Sequence, residues 1–84
     1  MYTVYVLKSL DHPFHYIGHS RDVPKRLKIH NQGKVRSTKA RRPYKVIYTE
    51  DYSTKSEAQK REYYLKKGAG NQWLRETLKS RGVW

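Results

Sequence analysis

A short segment near the amino terminus constrains the possible folds more than any other feature, because it is apolar on both alternating faces. Along residues 3–7, Tyr5 and Leu7 point to one side of an extended chain, and Val4 and Val6 point to the other. Near-continuous hydrophobic runs of this kind are typical of strands that other elements cover from both sides. The sequence therefore predicts a strand that is buried on both faces.

Turn and helix signals follow this strand. Residues 11–13 form a turn signal and residues 15–18 predict a second short strand, so residues 3–19 are expected to form a hairpin. Gly18 in the second strand is typical of a bulge or of a close backbone approach. Asp22 is a good N-cap, Pro24 fits a first turn, and Gly33 is a suitable stop, which together predict a helix over about residues 23–32.

The next part of the chain predicts a third strand over residues 44–49 and a second helix. Thr54 and Glu57 fit a capping box at the start of this helix, which is expected to continue to about Lys67 and to end at Gly68. The two elements follow a basic segment without apolar periodicity, which predicts a loop.

The end of the chain predicts a third short helix, with Asn71 as its candidate cap, while residues 79–84 are expected to be frayed. The predicted order is β-β-α-β-α-α. This is an α/β (α+β) arrangement in which the third strand joins an antiparallel hairpin.

The length of 84 residues fits one small domain over residues 1–84 and excludes large scaffolds such as barrels and doubly wound dinucleotide folds. The chain has no cysteine, so disulfide frameworks, thiolate zinc sites and cysteine nucleophiles are excluded. Neither a signal peptide pattern nor an apolar run near the roughly 20 residues that span a bilayer is present. We therefore expect a cytoplasmic protein, not in a membrane and monomeric by default.

The charge balance points to an anionic partner. Lysine and arginine total 19 and aspartate and glutamate total 7, which gives a net charge of +12. Nucleic acid is the first candidate and an anionic membrane surface the second, but no long amphipathic helix with a wide apolar face is predicted, so nucleic acid is favoured. A basic loop without acidic residues is either a solvated charge run or a set of phosphate contacts. Its cationic residues are Lys34, Arg36, Lys39, Arg41, Arg42 and Lys45.

Glu62 is the most informative single residue, because a carboxylate lies in the apolar stripe of the second predicted helix. Ala58, Glu62, Leu65 and Ala69 fall at helical spacing, and a glutamate is seldom fully buried unless it is paired. The pattern alone slightly favours a salt bridge at the edge of the core. The alternative is a single-carboxylate Mg²⁺ site that keeps several waters and takes substrate phosphate as a further ligand.

Four other side chains are candidates for chemistry. Arg26 and His30 lie one helical turn apart, where they could hold a phosphate oxygen and transfer a proton, although the pattern alone favours two solvated residues. Tyr5 and Tyr16 lie on strands that should pair, and they are either core residues or groups that orient a water. A phenol with a pKa of about 10 is a poor base at neutral pH unless cations or a metal lower that value. Three histidines are interpreted as surface or hairpin residues rather than metal ligands: His12, His15 and His19.

The order of these residues resembles that of the GIY-YIG nuclease domain. The resemblance covers about residues 2–74. A lone Tyr-Ile-Gly is a weak signal, whereas the spaced set is specific, and it is most similar to small standalone bacterial members of the excinuclease-subunit-C-like kind. The matching positions are Tyr5-Val6-Leu7-Lys8-Ser9, Tyr16-Ile17-Gly18, Arg26-Leu27, His30-Asn31, Gly33, Arg42-Pro43, Ala58 and Glu62.

This resemblance implies a three-stranded antiparallel sheet flanked by helices, and metal-dependent hydrolysis of phosphodiester bonds in nucleic acid, expected to be DNA. Glu62 matches the metal-binding glutamate of the family, and Arg26 matches the arginine that steadies the scissile phosphate. Tyr5 and Tyr16 match the motif tyrosines that position or deprotonate the attacking water. His30 matches a general-base or hydrogen-bonding position. One Mg²⁺ or Mn²⁺ ion is implied, without a small-molecule cofactor.

Two positions depart from the family pattern. Residues 3–5 read Thr-Val-Tyr, so the first motif keeps its tyrosine but not its glycine and isoleucine. The family also uses an asparagine after the second helix, for which Asn71 is the only candidate, and helix capping explains Asn71 equally well. Two other functions stay open. One is a nucleic-acid-binding module that has this fold without useful activity, and the other is a structural basic partner of a larger nucleic-acid assembly.

Overall fold

Three antiparallel strands form the sheet of this computed structural model, which describes residues 1–84. The strands are β1 (Tyr2–Ser9), β2 (His15–Ser20) and β3 (Tyr44–Tyr52), and their spatial order is β2-β1-β3. The doubly apolar segment is therefore the central strand, which confirms the prediction that elements cover it on both faces. A register shift between Val6 and Leu7 interrupts the β1–β3 pairing.

Three α-helices flank the sheet: α1 (Val23–Asn31), α2 (Lys55–Leu65) and α3 (Gly68–Ser80). The N-cap predictions hold at two of them, because the Asp22 carboxylate accepts from the Lys25 amide at 3.1 Å and the Thr54 hydroxyl accepts from the Glu57 amide at 3.2 Å. Within the basic segment, Lys39–Arg41 form one 3-10 turn. The order β-β-α-β-α-α and the α+β class are confirmed.

The two faces of β1 pack against different helices. Val4 and Val6 are fully buried in the larger core cluster, together with Leu65, Leu74 and Leu78 of α2 and α3. On the opposite face, Tyr5, Leu7 and Tyr44 form a smaller cluster against which α1 packs through Val23 and Leu27. The alternation of a strand sends neighbouring side chains to opposite sides of the sheet, so one strand supplies both clusters.

The third helix differs from the sequence prediction at its start. It begins at Gly68 rather than near Asn71, because Gly68 adopts a φ of +61° and the chain enters α3 directly after a short turn. Asn71 therefore does not cap the helix. Its side-chain amide donates to the carbonyl of Leu65 at 3.0 Å and ties the end of α2 to the start of α3.

The carboxyl-terminal residues also differ from the prediction that residues 79–84 are frayed. The helix α3 continues to Ser80, and Val83 and Trp84 pack against the larger core cluster. The Trp84 ring stacks on the His15 ring at 3.5 Å between centroids, and the His15 Nε2 lies 3.1 Å from the Trp84 carbonyl oxygen. This tertiary packing orders a segment that has no helical pattern of its own.

None of the three α-helices combines the length and the apolar character that crossing a bilayer requires.

Candidate active site

Gly18 opens the space in which the two candidate tyrosines meet. It pairs with Tyr5 across the β1–β2 ladder. A Cβ added at Gly18 would lie 2.7 Å from the Tyr5 hydroxyl oxygen and 3.0 Å from Cε2 of Tyr16, which is closer than real side chains approach. The missing side chain therefore lets the Tyr5 phenol lie across β2 beside Tyr16, with ring centroids 6.4 Å apart.

His30 lies at the centre of this cluster and is completely buried. Its Nε2 lies 2.9 Å from the Tyr5 hydroxyl oxygen, and its Nδ1 lies 2.8 Å from the Thr38 hydroxyl oxygen. The Tyr16 ring packs on the imidazole at 5.0 Å between centroids. The preference of the pattern alone for a solvated His30 is therefore wrong, because the last turn of α1 points this side chain into the sheet alongside Leu27.

Arg26, one turn before His30 on α1, is half-buried. Its guanidinium lies close enough to Tyr5 and His30 to affect the pKa of both side chains. The structure thus brings Tyr5, Tyr16, Arg26 and His30 into one cluster on the α1 face.

Burial sets the protonation of the cluster. Desolvation raises the pKa of Tyr5 to about 12, and the opposing effect of Arg26 is smaller. Desolvation and then the positive charge of Arg26 lower the pKa of His30 below its ordinary value of 6.5. Near neutral pH the pair is therefore a protonated phenol beside a neutral imidazole, at a hydrogen-bonding distance of 2.9 Å.

Glu62 lies on α2, at the edge of the sheet formed by β2. Its side chain is 18% exposed, and its two carboxylate oxygens contact His19 Nδ1 at 2.6 Å and Lys66 Nζ at 2.8 Å. The salt bridge that the pattern slightly favoured is therefore present. These contacts are on the α2 side of the sheet, but β2 is an edge strand and the carboxylate is close to the tyrosine cluster. Lys66 Nζ lies 5.9 Å from the centre of the Tyr16 ring, and the Glu62 charge contributes to the raised pKa of Tyr5.

The Glu62 carboxylate fits a hydrated divalent ion. A carboxylate has about four lone-pair positions, and His19 and Lys66 occupy two of them. An Mg²⁺ ion commonly uses one or two carboxylates and completes its shell with water and phosphate oxygens. No group of three or more His, Asp or Glu side chains lies close enough to hold an ion by protein ligands alone. The carboxylate borders an open cleft lined by Ser56, Gln59, Lys60, Glu62 and Tyr63.

The basic loop presents its cations to solvent. All six side chains named from the sequence are exposed: Lys34, Arg36, Lys39, Arg41, Arg42 and Lys45. Arg36, Lys39 and Arg42 line one open cleft. Arg41 is held over the Phe14 ring at 4.6 Å, and the Arg42 guanidinium donates to the Lys39 carbonyl at 2.6 Å. The loop is thus a pre-ordered positive surface beside α1.

Two residues near the site have roles that the sequence analysis missed. One is His19, which shares the α2 face of β2 with Ile17 and contacts Glu62. The carboxylate in the apolar stripe of α2 was a signal that Glu62 needs a cationic or hydrogen-bonding partner. Thr38 is completely buried beside His30, yet it lies in a loop without periodicity, so no sequence signal marked it. Asn71 shares a cleft with Tyr16 and Lys66, which places it at the margin of the candidate site.

Comparison with known proteins agrees with this architecture. The family model described as the GIY-YIG catalytic domain matches residues 1–75. The chain belongs to the GIY-YIG family. That family is a nuclease superfamily whose members generally use divalent metal ions and interact with nucleic acid.

Several bacterial proteins are similar over most of the chain. UPF0213 protein YazA of Bacillus subtilis is 48% identical over 64 residues, which cover 75% of this chain and 64% of that protein. A UPF0213 protein of Clostridium perfringens is 44% identical over 72 residues, covering 84% and 76%. A UPF0213 protein of Staphylococcus epidermidis is 48% identical over 64 residues, covering 75% and 77%. The chain therefore spans less than two thirds of the Bacillus relative, and the comparison with solved structures gave no match.

Proposed function

We propose that this protein is a metal-dependent endonuclease that hydrolyses phosphodiester bonds of nucleic acid, with DNA as its expected substrate. The observation that carries the proposal is the 2.9 Å contact between the Tyr5 hydroxyl and His30 Nε2, made inside a buried cluster beside Arg26. A buried phenol–imidazole pair can transfer a proton, and hydrolysis of a phosphodiester needs a group that takes a proton from the attacking water.

Each residue of the cluster has a role that follows from its chemistry. The Arg26 guanidinium neutralises charge that develops on the scissile phosphate, which is usually the largest catalytic contribution. Tyr16 and Tyr5 orient the attacking water through their hydroxyl groups. With a pKa of about 12, Tyr5 does not ionise spontaneously near neutral pH, so it passes its proton to His30 as it takes one from the water. His30 is thus the proton acceptor of the pair.

Glu62, at the sheet edge formed by β2, would hold the metal ion. When bound, a divalent ion polarises a phosphate oxygen and steadies the leaving group. Glu62 has lone pairs that His19 and Lys66 leave free, and these could bind a divalent ion of the kind that also takes water and phosphate oxygens. The cations of the basic loop hold the flanking phosphates, which positions the backbone without reading its sequence.

The test is a cleavage assay with wild type and Glu62→Gln on labelled branched, single-stranded and duplex DNA, each with Mg²⁺, Mn²⁺ or EDTA. We expect metal-dependent cutting by wild type and a loss of about 10²-fold or more in rate for Glu62→Gln, because one anionic ligand is removed. The matched control is Glu76→Gln, at an exposed glutamate of α3 that accepts only from Gln72. Full activity of Glu62→Gln would contradict the metal role.

A second candidate function has its own supporting observation. Both oxygens of Glu62 already have cationic or hydrogen-bonding partners, and six exposed cations line the loop, which is the arrangement of a binding module that does not cleave. In that case the same assay gives shifted, uncut DNA in every metal, and Glu62→Gln binds as wild type does. Cutting by wild type alone would exclude this alternative.

A further inference from the structure

The proton of His30 has a definite position that depends on a residue outside the family motifs. Thr38 precedes the 3-10 turn of the basic loop, and its side chain and backbone are fully buried. Its hydroxyl oxygen lies 2.8 Å from His30 Nδ1 and 3.3 Å from the Val35 carbonyl oxygen. A carbonyl can only accept, so Thr38 is the donor in its contact with Val35.

This direction fixes the rest of the chain of hydrogen bonds. With the Thr38 proton on the Val35 carbonyl, the hydroxyl oxygen accepts from His30, so that Nδ1 carries the imidazole proton. His30 Nε2 then has a free lone pair, and the Tyr5 hydroxyl donates to it at 2.9 Å.

We propose that Thr38 is a positioning residue that holds His30 in the Nδ1–H tautomer, which is the tautomer able to receive the Tyr5 proton. Thr38 does not touch substrate. It acts through His30 alone, as an oriented partner determines which ring nitrogen of a histidine is free. The inference rests on the proposed function for its catalytic meaning, but the tautomer itself is a property of the folded protein.

The surroundings show that Thr38 is itself held in place. The buried Tyr44 hydroxyl donates to the Thr38 carbonyl at 2.7 Å, and the Asn31 side chain pairs with both the amide and the carbonyl of Tyr44. Every buried side-chain nitrogen and oxygen of the chain has a partner. The hydroxyl is therefore part of a completely satisfied network, and its removal leaves one buried donor without an acceptor.

The first measurement is the tautomer of His30, read from the ¹⁵N shifts of its ring nitrogens at about pH 8, above the ordinary histidine pKa of about 6.5. We expect the Nδ1–H form in wild type and in Thr38→Ser, which keeps the hydroxyl. In Thr38→Val, which keeps the shape but has no acceptor, we expect the ring to change to the Nε2–H form. Nε2–H in wild type, or Nδ1–H in Thr38→Val, would overturn the proposal.

The second measurement is cleavage. We expect Thr38→Val to lower kcat by about 10²-fold with KM within about twofold, because His30 Nε2 becomes a donor and no longer accepts the Tyr5 proton. Thr38→Ser should restore kcat to within about threefold of wild type. Equal losses in the valine and serine variants would contradict a role of the hydroxyl, since only serine keeps the acceptor.

The two measurements separate failure of this inference from failure of the proposed function. If wild type cuts no substrate but the tautomer changes in Thr38→Val, the nuclease proposal fails and the positioning by Thr38 stands. If wild type cuts DNA and the tautomer is unchanged in Thr38→Val, the nuclease proposal stands and the positioning by Thr38 fails. Should Thr38→Val not fold, the wild-type spectrum still decides, because Nε2–H there rules the proposal out and Nδ1–H supports it.

Discussion

Each face of the sheet has a tyrosine hydroxyl with a raised pKa, but the two hydroxyls have different partners. On the α1 face, Tyr5 donates to a neutral imidazole, His30. On the α2 face, Tyr48 donates to the Glu50 carboxylate, which Arg61 also binds through two hydrogen bonds of 2.9 and 3.2 Å. The pKa of both tyrosines is raised to about 12, mainly by burial.

The two clusters differ in the group that faces the tyrosine hydroxyl, not in the tyrosine itself. Burial alone would raise the pKa of Glu50, but hydrogen bonds from Arg61, Tyr48 and Tyr52 outweigh burial and lower it. A carboxylate whose pKa is lowered from 4.5 does not take a proton near neutral pH, whereas a neutral imidazole can. The Glu50 cluster is therefore a stabilising network, and the His30 cluster is the one with capacity for proton transfer.

The largest expected effect comes from removing each hydroxyl in turn. Tyr5→Phe should lower kcat for DNA cleavage by about 10²–10⁴-fold, because the group that passes a proton from water to His30 is lost. Tyr48→Phe removes a hydroxyl of similar pKa from the opposite face and should leave kcat within about twofold. Both variants keep the aromatic ring, so both should fold, which circular dichroism checks before the kinetics are compared.

Equal losses of activity in Tyr5→Phe and Tyr48→Phe would contradict the distinction between the two clusters. That result would mean that burial of any tyrosine hydroxyl in this small core affects the site through stability alone. Measurement of the unfolding free energy in the same samples identifies this case, since each variant is expected to lose only about 1–3 kcal/mol for the hydrogen bond and the partner left unpaired.

The fold could be predicted because its signals are local. The alternation in β1, the Asp22 and Thr54 caps and the stop at Gly33 each act within a few residues, and the structure has all of them. The start of α3 was predicted incorrectly because the φ of Gly68 is not visible in the sequence. The order at Trp84 was missed because it depends on stacking against His15, 69 residues away.

The candidate site could be predicted only in part, for a related reason. Helical spacing placed His30 beside Leu27, but periodicity does not tell whether a histidine on such a face is solvated or buried with partners. The contact between His19 and Glu62 joins residues 43 positions apart, and Thr38 contacts His30 from a loop without a pattern. Buried polar groups are specified by three-dimensional partners, which local patterns do not encode.

A smaller effect is expected in the dependence of stability on pH. His30 and His15 have lowered pKa values in the folded state, so the unfolded chain binds more protons below pH 6.5 and stability decreases as the pH falls from there. Glu50 has a folded pKa below 4.5, so its contribution is present above pH 4.5 and is lost as the pH falls through the folded pKa. The two histidines and Glu50 should thus lose their contributions to stability in separate pH windows.

The variant Glu50→Gln distinguishes the pH window of Glu50 from that of the two histidines. Near pH 7 this variant should be less stable by about 1–3 kcal/mol, because three donors converge on a group that can no longer accept all of them. The deficit should shrink below pH 4.5, while the decrease that starts at pH 6.5 should match wild type. Urea unfolding at several pH values measures both. A deficit that is constant down to pH 2 would contradict the assignment of the acid window to Glu50.

The smallest expected effect concerns the basic loop, which lies beside the α1 face. Arg41→Gln and Arg42→Gln should each reduce the slope of log K against log salt by about 0.9 on B-form DNA, because each removes one phosphate contact and its released counterion. Lys79→Gln, at an exposed cation in the last turn of α3, is the matched control on the other face. If the loop binds the phosphates, binding measured from low to moderate salt should show a reduced slope for the arginine variants and a wild-type slope for the lysine variant. Equal slopes in all three would mean that DNA responds to the net charge of +12 and not to a particular face.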